Sequence, residues 1–354
     1  MTRTPKPEAS LPEADSALQH KHAPRPLPLF LELVRIVSET RPQLASKALD
    51  GLALYEQAER ARQRPERPAI ARVGGTSLRD CGGSGAPVVL IPSLINPPHV
   101  LDLDDNTSLA AAIAQGGRRS LLLDWGTADD RAELDLAGHI ERLLLPLIGQ
   151  LGERPALVGY CLGGTMAIAA ANLAPVERVA TLAAPWRFAR YPDAGRKSLL
   201  TLWNSARPVA IRLEALPMEV LQSAFWSMDP ERTVAKFAAF AELDPHGDKA
   251  RRFVTLEDWA NEGEALPYPA ARALIEQLFE QDLPGRGEWR VGGRAISDRL
   301  SCLSFHITAS GDRITPAATA PAGETVQLDA GHVGMIVGSA RHRLHQLLQQ
   351  FLAA

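Results

Sequence analysis

Ala156-Leu157-Val158-Gly159-Tyr160-Cys161-Leu162-Gly163-Gly164-Thr165-Met166-Ala167 decides the fold. Ala156 to Val158 read as a short buried strand, and the Ala-rich stretch from Leu162 reads as a helix. Gly159 and Gly163 bracket Cys161. A residue that ends a strand and opens a helix in one step sits on a strained turn, and its side chain projects beyond the sheet. Side chains two positions before and after it would collide with strand or helix, so glycine fills both places. The helix that follows points its N-terminus at the sulfur, which favours a thiolate and a developing oxyanion. The backbone N–H of Leu162 is the first expected oxyanion donor. A buried inert cysteine is the competing reading, and it leaves the glycine bracket without a packing reason. Cys161 is therefore read as a nucleophile.

Outward from this turn, short apolar runs alternate with helical stretches. Val88-Val89-Leu90-Ile91 stops at Pro92, Ser120-Leu121-Leu122-Leu123 stops at Asp124, and residues 178–182 form a further run. Helical patterns fill 108–115, 134–151 and 162–173. Fully apolar strands between amphipathic helices imply βαβ units: an α/β fold with a mostly parallel central sheet and helices on both faces. The alternation stops at 186, and residues 186–290 carry helical segments with scattered Trp186, Trp203, Trp226, Trp259 and Trp289. Strand patterns return at 303–308 and 324–328, before a last helix at 340–352. The expected organisation is a disordered tail at 1–25, a helical arm at 26–84, a core at 85–185 and 291–354, and an inserted, mainly helical cap at 186–290. In the arm, Leu31, Leu33, Val34 and Val37, then Leu44, Leu49, Leu52 and Leu54, have the spacing of two amphipathic helices. They are expected to pack on the core.

A nucleophilic thiol needs a base, and the base needs an orienting carboxylate. Where the nucleophile sits on such a turn, acid and histidine follow it in the chain, each after a strand, as in the α/β-hydrolase fold. Asp312 lies in the loop after the strand at 303–308, and His332 lies after the strand at 324–328. They are the expected orienter and base. A surface turn is the competing role for Asp312. His306 is expected in the core, His246 in solvent, and His342 and His345 on the last helix, away from the strand ends. The second oxyanion donor is expected from the loop after the first core strand, at Ile95. His99, further along that loop, is a candidate substrate contact. Asp124 either lines the site or serves its own turn.

The bulk numbers bound the partners. The chain has 354 residues, 45% hydrophobic, 22% charged, with net charge −3. That argues against nucleic acid or an anionic membrane surface as the main partner. No apolar run reaches the roughly 18–20 residues of a membrane span; the stretch 27–37 is broken by Glu32 and Arg35. The start shows no basic, apolar, small-residue leader pattern. The three cysteines, Cys81, Cys161 and Cys302, are far apart, as free thiols in a reducing compartment would be. No metal site is expected, and the default is a cytoplasmic soluble protein.

Several separated segments together resemble the polyhydroxyalkanoate synthases, in particular the short synthases of the two-subunit type. Ile91-Pro92-Ser93-Leu94-Ile95-Asn96 with Leu101-Asp102-Leu103 resembles their oxyanion loop, and Leu122-Leu123-Asp124-Trp125-Gly126 the next strand end. Gly159-Tyr160-Cys161-Leu162-Gly163-Gly164-Thr165 resembles the nucleophile box. Asp258-Trp259-Ala260-Asn261 with Leu266-Pro267 resembles a cap segment. Gly311-Asp312-Arg313-Ile314-Thr315-Pro316 and Gly331-His332 resemble the acid and base. The likeness covers about 85–350. It implies an α/β-hydrolase fold and a Cys-His-Asp triad that takes 3-hydroxyacyl groups from coenzyme A as thioesters and adds them to a growing polyester. It also implies substrate contacts at Asn96, His99 and Tyr160, no cofactor beyond the coenzyme A of the substrate, a second synthase subunit or a homodimer, and work at the surface of polyester granules. Three places depart from the family: Pro97-Pro98-His99 stands where an aromatic pair is common, Arg313 where His often follows the acid, and the segment after Trp125-Gly126 is unusual in carrying Asp129 and Asp130.

Two other readings stay open on the sequence. Dienelactone hydrolases use the same turn with His and Asp but are shorter and lack a cap of this size; a thioesterase or esterase on the larger scaffold would differ only in using water as acceptor. A non-catalytic granule-associated or partner subunit would keep the fold without the chemistry.

Overall fold

The computed structural model describes residues 22–60, 64–227 and 229–353. All but the last four residues of the expected tail lie outside that range. An eight-stranded sheet carries the chain: β1 (Ala69–Val73), β2 (Thr76–Asp80), β3 (Pro87–Ile91), β4 (Arg119–Asp124), β5 (Ala156–Tyr160), β6 (Arg178–Leu182), β7 (Leu303–Ala309) and β8 (Glu324–Leu328). Their spatial order is β1-β2-β4-β3-β5-β6-β7-β8. β2 is antiparallel to β1 and β4, and every other pairing is parallel. One reversed strand near one edge and a β4-β3 crossover make this the α/β-hydrolase arrangement.

Strand composition explains the layers. β3, β5 and β6 are buried along their whole length, so both of their faces need cover. Alternate residues turn to opposite sides. Val89, Ile91, Leu121, Leu123 and Leu157 pack with the helical run 136–150 and with the helix that follows Cys161. Val88, Leu90, Leu122 and Val158 pack with the helices at Leu109–Gln115 and Arg341–Ala353.

The region 26–84 divides in two, which corrects the expected arm. Its first part forms helices α1 (Leu27–Ser38) and α2 (Pro42–Gln57). Its last part is the β1-β2 hairpin, which belongs to the sheet. Gly74 turns that hairpin at φ +58°, a conformation open to glycine at little cost.

The helices of the arm pack on the cap rather than on the sheet. The segment between β6 and β7 carries α3 (Asp193–Leu213), α4 (Met218–Ser227), α5 (Pro230–Phe240) and α6 (Asp248–Asn261). Phe30, Val34, Leu52 and Tyr55 of the arm form one cluster with Trp226, Val234, Phe237 and Val254 of the cap. Amphipathic helices must bury their apolar stripe, and α5 supplies the matching face. α2 and α5 touch backbone to backbone: a Cβ on Gly51 would lie 1.9 Å from the carbonyl oxygen of Phe237. Among the described residues no helix is long and apolar enough to cross a membrane.

Candidate active site

Cys161 stands between β5 and the helix Leu162–Leu173 with φ 55° and ψ −130°. A non-glycine residue in this region costs about 1–3 kcal/mol and persists only where its surroundings leave no alternative. Here they leave none. A Cβ on Gly159 would come within 2.4 Å of Gly164 Cα, and one on Gly163 within 2.1 Å of the Ile91 carbonyl oxygen. The Cys161 N–H donates to the Leu182 carbonyl at 2.9 Å, and the Cys161 carbonyl accepts from Gly164 N–H at 2.9 Å. The glycines let the turn press against β3, and the turn presents the thiol at the end of the sheet.

Asp312 follows β7 and is 6% exposed. Its Oδ1 accepts the backbone N–H groups of Ile314 (2.9 Å) and Thr315 (2.8 Å). That fixes the carboxylate and leaves Oδ2 to accept from His332 Nδ1 at 2.7 Å. With Nδ1 bonded to Asp312, Nε2 is the ring nitrogen left for the cavity that Cys161 also lines. Burial disfavours the imidazolium. The charge of Cys161 and the hydrogen bonds with Asp312 and Cys161 outweigh it, so the His332 pKa is pushed up to about 10. His332 is thus bonded to the Asp312 carboxylate and lines one cavity with the Cys161 thiol.

Tyr160 buttresses His332. It is 3% exposed, its hydroxyl donates to the His332 carbonyl at 3.3 Å, and the two rings lie 5.1 Å apart. Burial raises its phenol pKa well above the ordinary value. Tyr160 lines the cavity beside Cys161, but its hydroxyl is spent on the His332 loop.

The cavity encloses about 440 Å³ and is lined by Cys161, His332, Ile95, Asn96 and residues of the cap. Ile95 N–H leans on Ser93 Oγ at 3.4 Å. Asn96 Nδ2 donates to the Ala260 carbonyl at 3.4 Å, and Trp259 Nε1 donates to Pro97 O at 2.9 Å. Leu162 is buried in the core, with its N–H at the start of the nucleophile helix. His99 is not among the lining residues, which corrects the expected substrate contact: its imidazole faces Glu262 at 3.6 Å on a short 3-10 turn. Asp124 serves its own turn, with Oδ2 paired to Arg79 Nε at 2.8 Å and Oδ1 accepting Gly126 N–H at 3.1 Å. His306 is a core residue, held between Thr181 Oγ1 (2.8 Å) and Ala322 O (3.0 Å).

The cap segment Asp258-Trp259-Ala260-Asn261 is a junction. Trp259 and Ala260 hold the loop after β3. Asp258 accepts from Tyr55 Oη (2.6 Å) and Arg60 Nε (3.0 Å). Asn261 Oδ1 accepts from Arg25 N–H at 3.0 Å. One helix end therefore ties arm, cap and the loop after β3 together.

Sequence reasoning did not find the far wall of the cleft. Phe225 and Trp226 of α4, Arg232 and Lys236 of α5 and Glu257 of α6 line it. Lys236 Nζ meets both Glu257 oxygens at 2.8 and 2.7 Å, with Glu257 buried. The one available signal was charge on the apolar side of an amphipathic cap helix, which does not announce which cleft it faces.

No family model matches the chain. Curated relatives do. The poly(3-hydroxyalkanoate) polymerase subunit PhaC of Haloferax mediterranei is 26% identical over 278 residues, 72% of this chain and 56% of that protein. The PhaC subunit of Haloarcula marismortui is 24% identical over 77% of this chain and 61% of its own length. That of Allochromatium vinosum is 26% identical over 75% of this chain and 80% of its own. The match thus spans less than two thirds of the first two relatives. Among solved structures, one described as a putative non-heme bromoperoxidase of Mycobacterium tuberculosis superposes with a TM-score of 0.46 at 18% identity, covering 82% of this chain and 98% of that one. Strand order and the matched relatives agree: the chain has an α/β-hydrolase fold and is similar, over about three quarters of its length, to poly(3-hydroxyalkanoate) polymerase PhaC subunits.

Proposed function

We propose that the chain is an acyltransferase that polymerises 3-hydroxyacyl groups from coenzyme A thioesters through an acyl-Cys161 intermediate. The observation that carries the reading is the strained Cys161 turn sharing a capped cleft with the Asp312-bonded His332, in a chain similar to PhaC subunits.

In the first half-reaction the Cys161 thiolate attacks the thioester carbonyl. Leu162 N–H, at the helix N-terminus, is the proposed first oxyanion donor, and Ile95 N–H gives up its bond to Ser93 Oγ to serve as the second. The tetrahedral intermediate collapses, the C–S bond to coenzyme A breaks, and the leaving thiolate takes the proton from imidazolium His332. Exchange of one thioester for another is nearly isoenergetic, so the acyl-enzyme lasts until an acceptor arrives. In the second half, a chain-end hydroxyl gives its proton to His332 Nε2 and attacks the acyl-Cys161 carbonyl. An ester forms and the Cys161 thiolate leaves, restoring the ion pair. Asp312 orients the imidazole in both halves. The steps call for no metal or organic cofactor. Asn96 and Tyr160, on the cleft wall, are the proposed substrate neighbours. A second synthase subunit or second copy, and work at polyester granules in the cytoplasm, are part of the proposal.

Transfer to water is the second reading. It is favoured by the charged groups Asp229, Arg232 and Arg313 on the cleft wall, which make that wall polar. Purified protein supplied with 3-hydroxybutyryl-CoA separates the two. Polymer together with released coenzyme A supports the polymerase; stoichiometric free acid supports the hydrolase. If no acyl-CoA releases coenzyme A, with or without a synthase partner subunit, both readings fall.

A further inference from the structure

The cleft's cap wall touches both catalytic loops at one helical turn. Asp229 is the N-cap of α5: its Oδ1 accepts the Arg232 N–H at 3.2 Å, and its carbonyl accepts from Thr233 N–H at 3.2 Å. This fixes the carboxylate and leaves Oδ2 free to take Arg313 Nη1 at 2.7 Å. Arg313 is the residue next to Asp312. Three residues along the same turn, the Arg232 guanidinium lies over Gly331, where a Cβ would be 3.4 Å from Nη2 and 4.0 Å from Nη1. Gly331 is the residue next to His332. So one turn of the cap reaches the neighbour of the acid and the neighbour of the base, although the two loops are 20 residues apart in the chain.

We propose that the first turn of α5 is a positioning element for the Asp312–His332 pair, with Asp229 holding the acid loop through Arg313 and Arg232 covering the base loop at Gly331. Neither residue is assigned a part in bond making. The docked cap sets the acid–base geometry, and the reaction then runs with a cap that is seated. The inference rests on the proposed reactivity of Cys161. Asp229 is 24% exposed and Arg313 63% exposed. As a contribution to stability such a pair is small. Its effect on rate comes from sub-ångström alignment, to which proton transfer is sensitive.

The full chain carries the test, with two single variants and a charge swap. Asp229→Asn keeps a good helix cap and removes the ion pair from the cap side; Arg313→Gln removes it from the core side. Asp229→Arg with Arg313→Asp rebuilds it reversed; because it also loses the α5 N-cap, it is read against Asp229→Arg alone as a further single variant. Two rates are read: coenzyme A release from 3-hydroxybutyryl-CoA, and alkylation of Cys161 by iodoacetamide, which needs no acyl substrate. Each single variant is expected to lower kcat about fivefold with KM held within about twofold. Each should slow alkylation to a similar degree, because a misaligned imidazole supports less thiolate. The swap is expected to regain most of both losses. Single variants that melt like the wild type and change only KM, or neither rate, would overturn the proposal. So would a swap no better than Asp229→Arg alone. If the wild type releases no coenzyme A, the acyl-transfer reading fails on its own, and the alkylation rates still decide the positioning role.

Discussion

Tyr160, the residue before Cys161, braces His332: its hydroxyl donates to the His332 carbonyl at 3.3 Å while its ring lies 5.1 Å from the imidazole. β5 thus presents the Cys161 thiol and supports the imidazole on the same cavity wall. Tyr160→Phe keeps the ring contact and removes the hydrogen bond. The expected result is a fall in kcat of about three- to tenfold with a stability loss near 1 kcal/mol. Steady-state kinetics beside a urea melt checks it, and an unchanged kcat would remove Tyr160 from the support of His332.

The glycines of the turn are not interchangeable with other glycines. A Cβ on Gly163 would meet the Ile91 carbonyl oxygen at 2.1 Å, and backbone cannot step aside cheaply. Gly163→Ala should cost more than about 3 kcal/mol or prevent folding. Gly149, within the helix Leu145–Gln150, faces open space. Gly149→Ala should be neutral or stabilise by up to about 1 kcal/mol. Chemical denaturation of the pair tests whether close approach, rather than glycine content, makes the turn.

Much of this was legible beforehand, for a physical reason. β3 and β5 are buried on both faces and read as apolar runs, so the strand that ends at Cys161 is plain in the sequence. β7 and β8, which precede Asp312 and His332, are mixed in polarity, so those two residues were legible from chain order and loop position rather than from an apolar run. The β1-β2 hairpin was missed because its strands are short and mixed in polarity, although Gly74-Gly75 between Val73 and Thr76 is a hairpin turn signal. The partner of the arm was not legible at all. An amphipathic stripe says that a helix is covered, not by what; α5 reaches α2 only through the fold. His99 misled because a loop position near the site does not fix side-chain direction, and Glu262 of the cap lies on the other side.

Protonation of His332 gives a pH dependence of stability. Its folded value, about 10, lies above the ordinary 6.5, with burial opposing and the Cys161 and Asp312 contacts prevailing. Folding therefore favours the imidazolium. That contribution is full below about pH 6.5 and is lost as pH rises through about 10. Urea unfolding near pH 6 and near pH 10 should show a larger alkaline loss for the wild type than for His332→Gln. Equal losses would contradict the ion-paired state.

The arm should brace the cap. Gly51→Ala drives a methyl group toward the Phe237 carbonyl, which a Cβ would approach to 1.9 Å. Despite the better helix propensity of alanine, a net loss of about 2 kcal/mol is expected. Limited proteolysis should show faster cleavage in the arm, and an unchanged digestion pattern would mean that α2 is not held by α5.

The most direct measurement is the position of the acyl group. The protein is mixed with 3-hydroxybutyryl-CoA, quenched in acid, digested and analysed by mass spectrometry. The account predicts a hydroxylamine-labile 3-hydroxybutyryl adduct on the peptide containing Cys161, and no adduct or coenzyme A release with Cys161→Ala. An acyl group on another residue, or coenzyme A release undiminished in that variant, would contradict it.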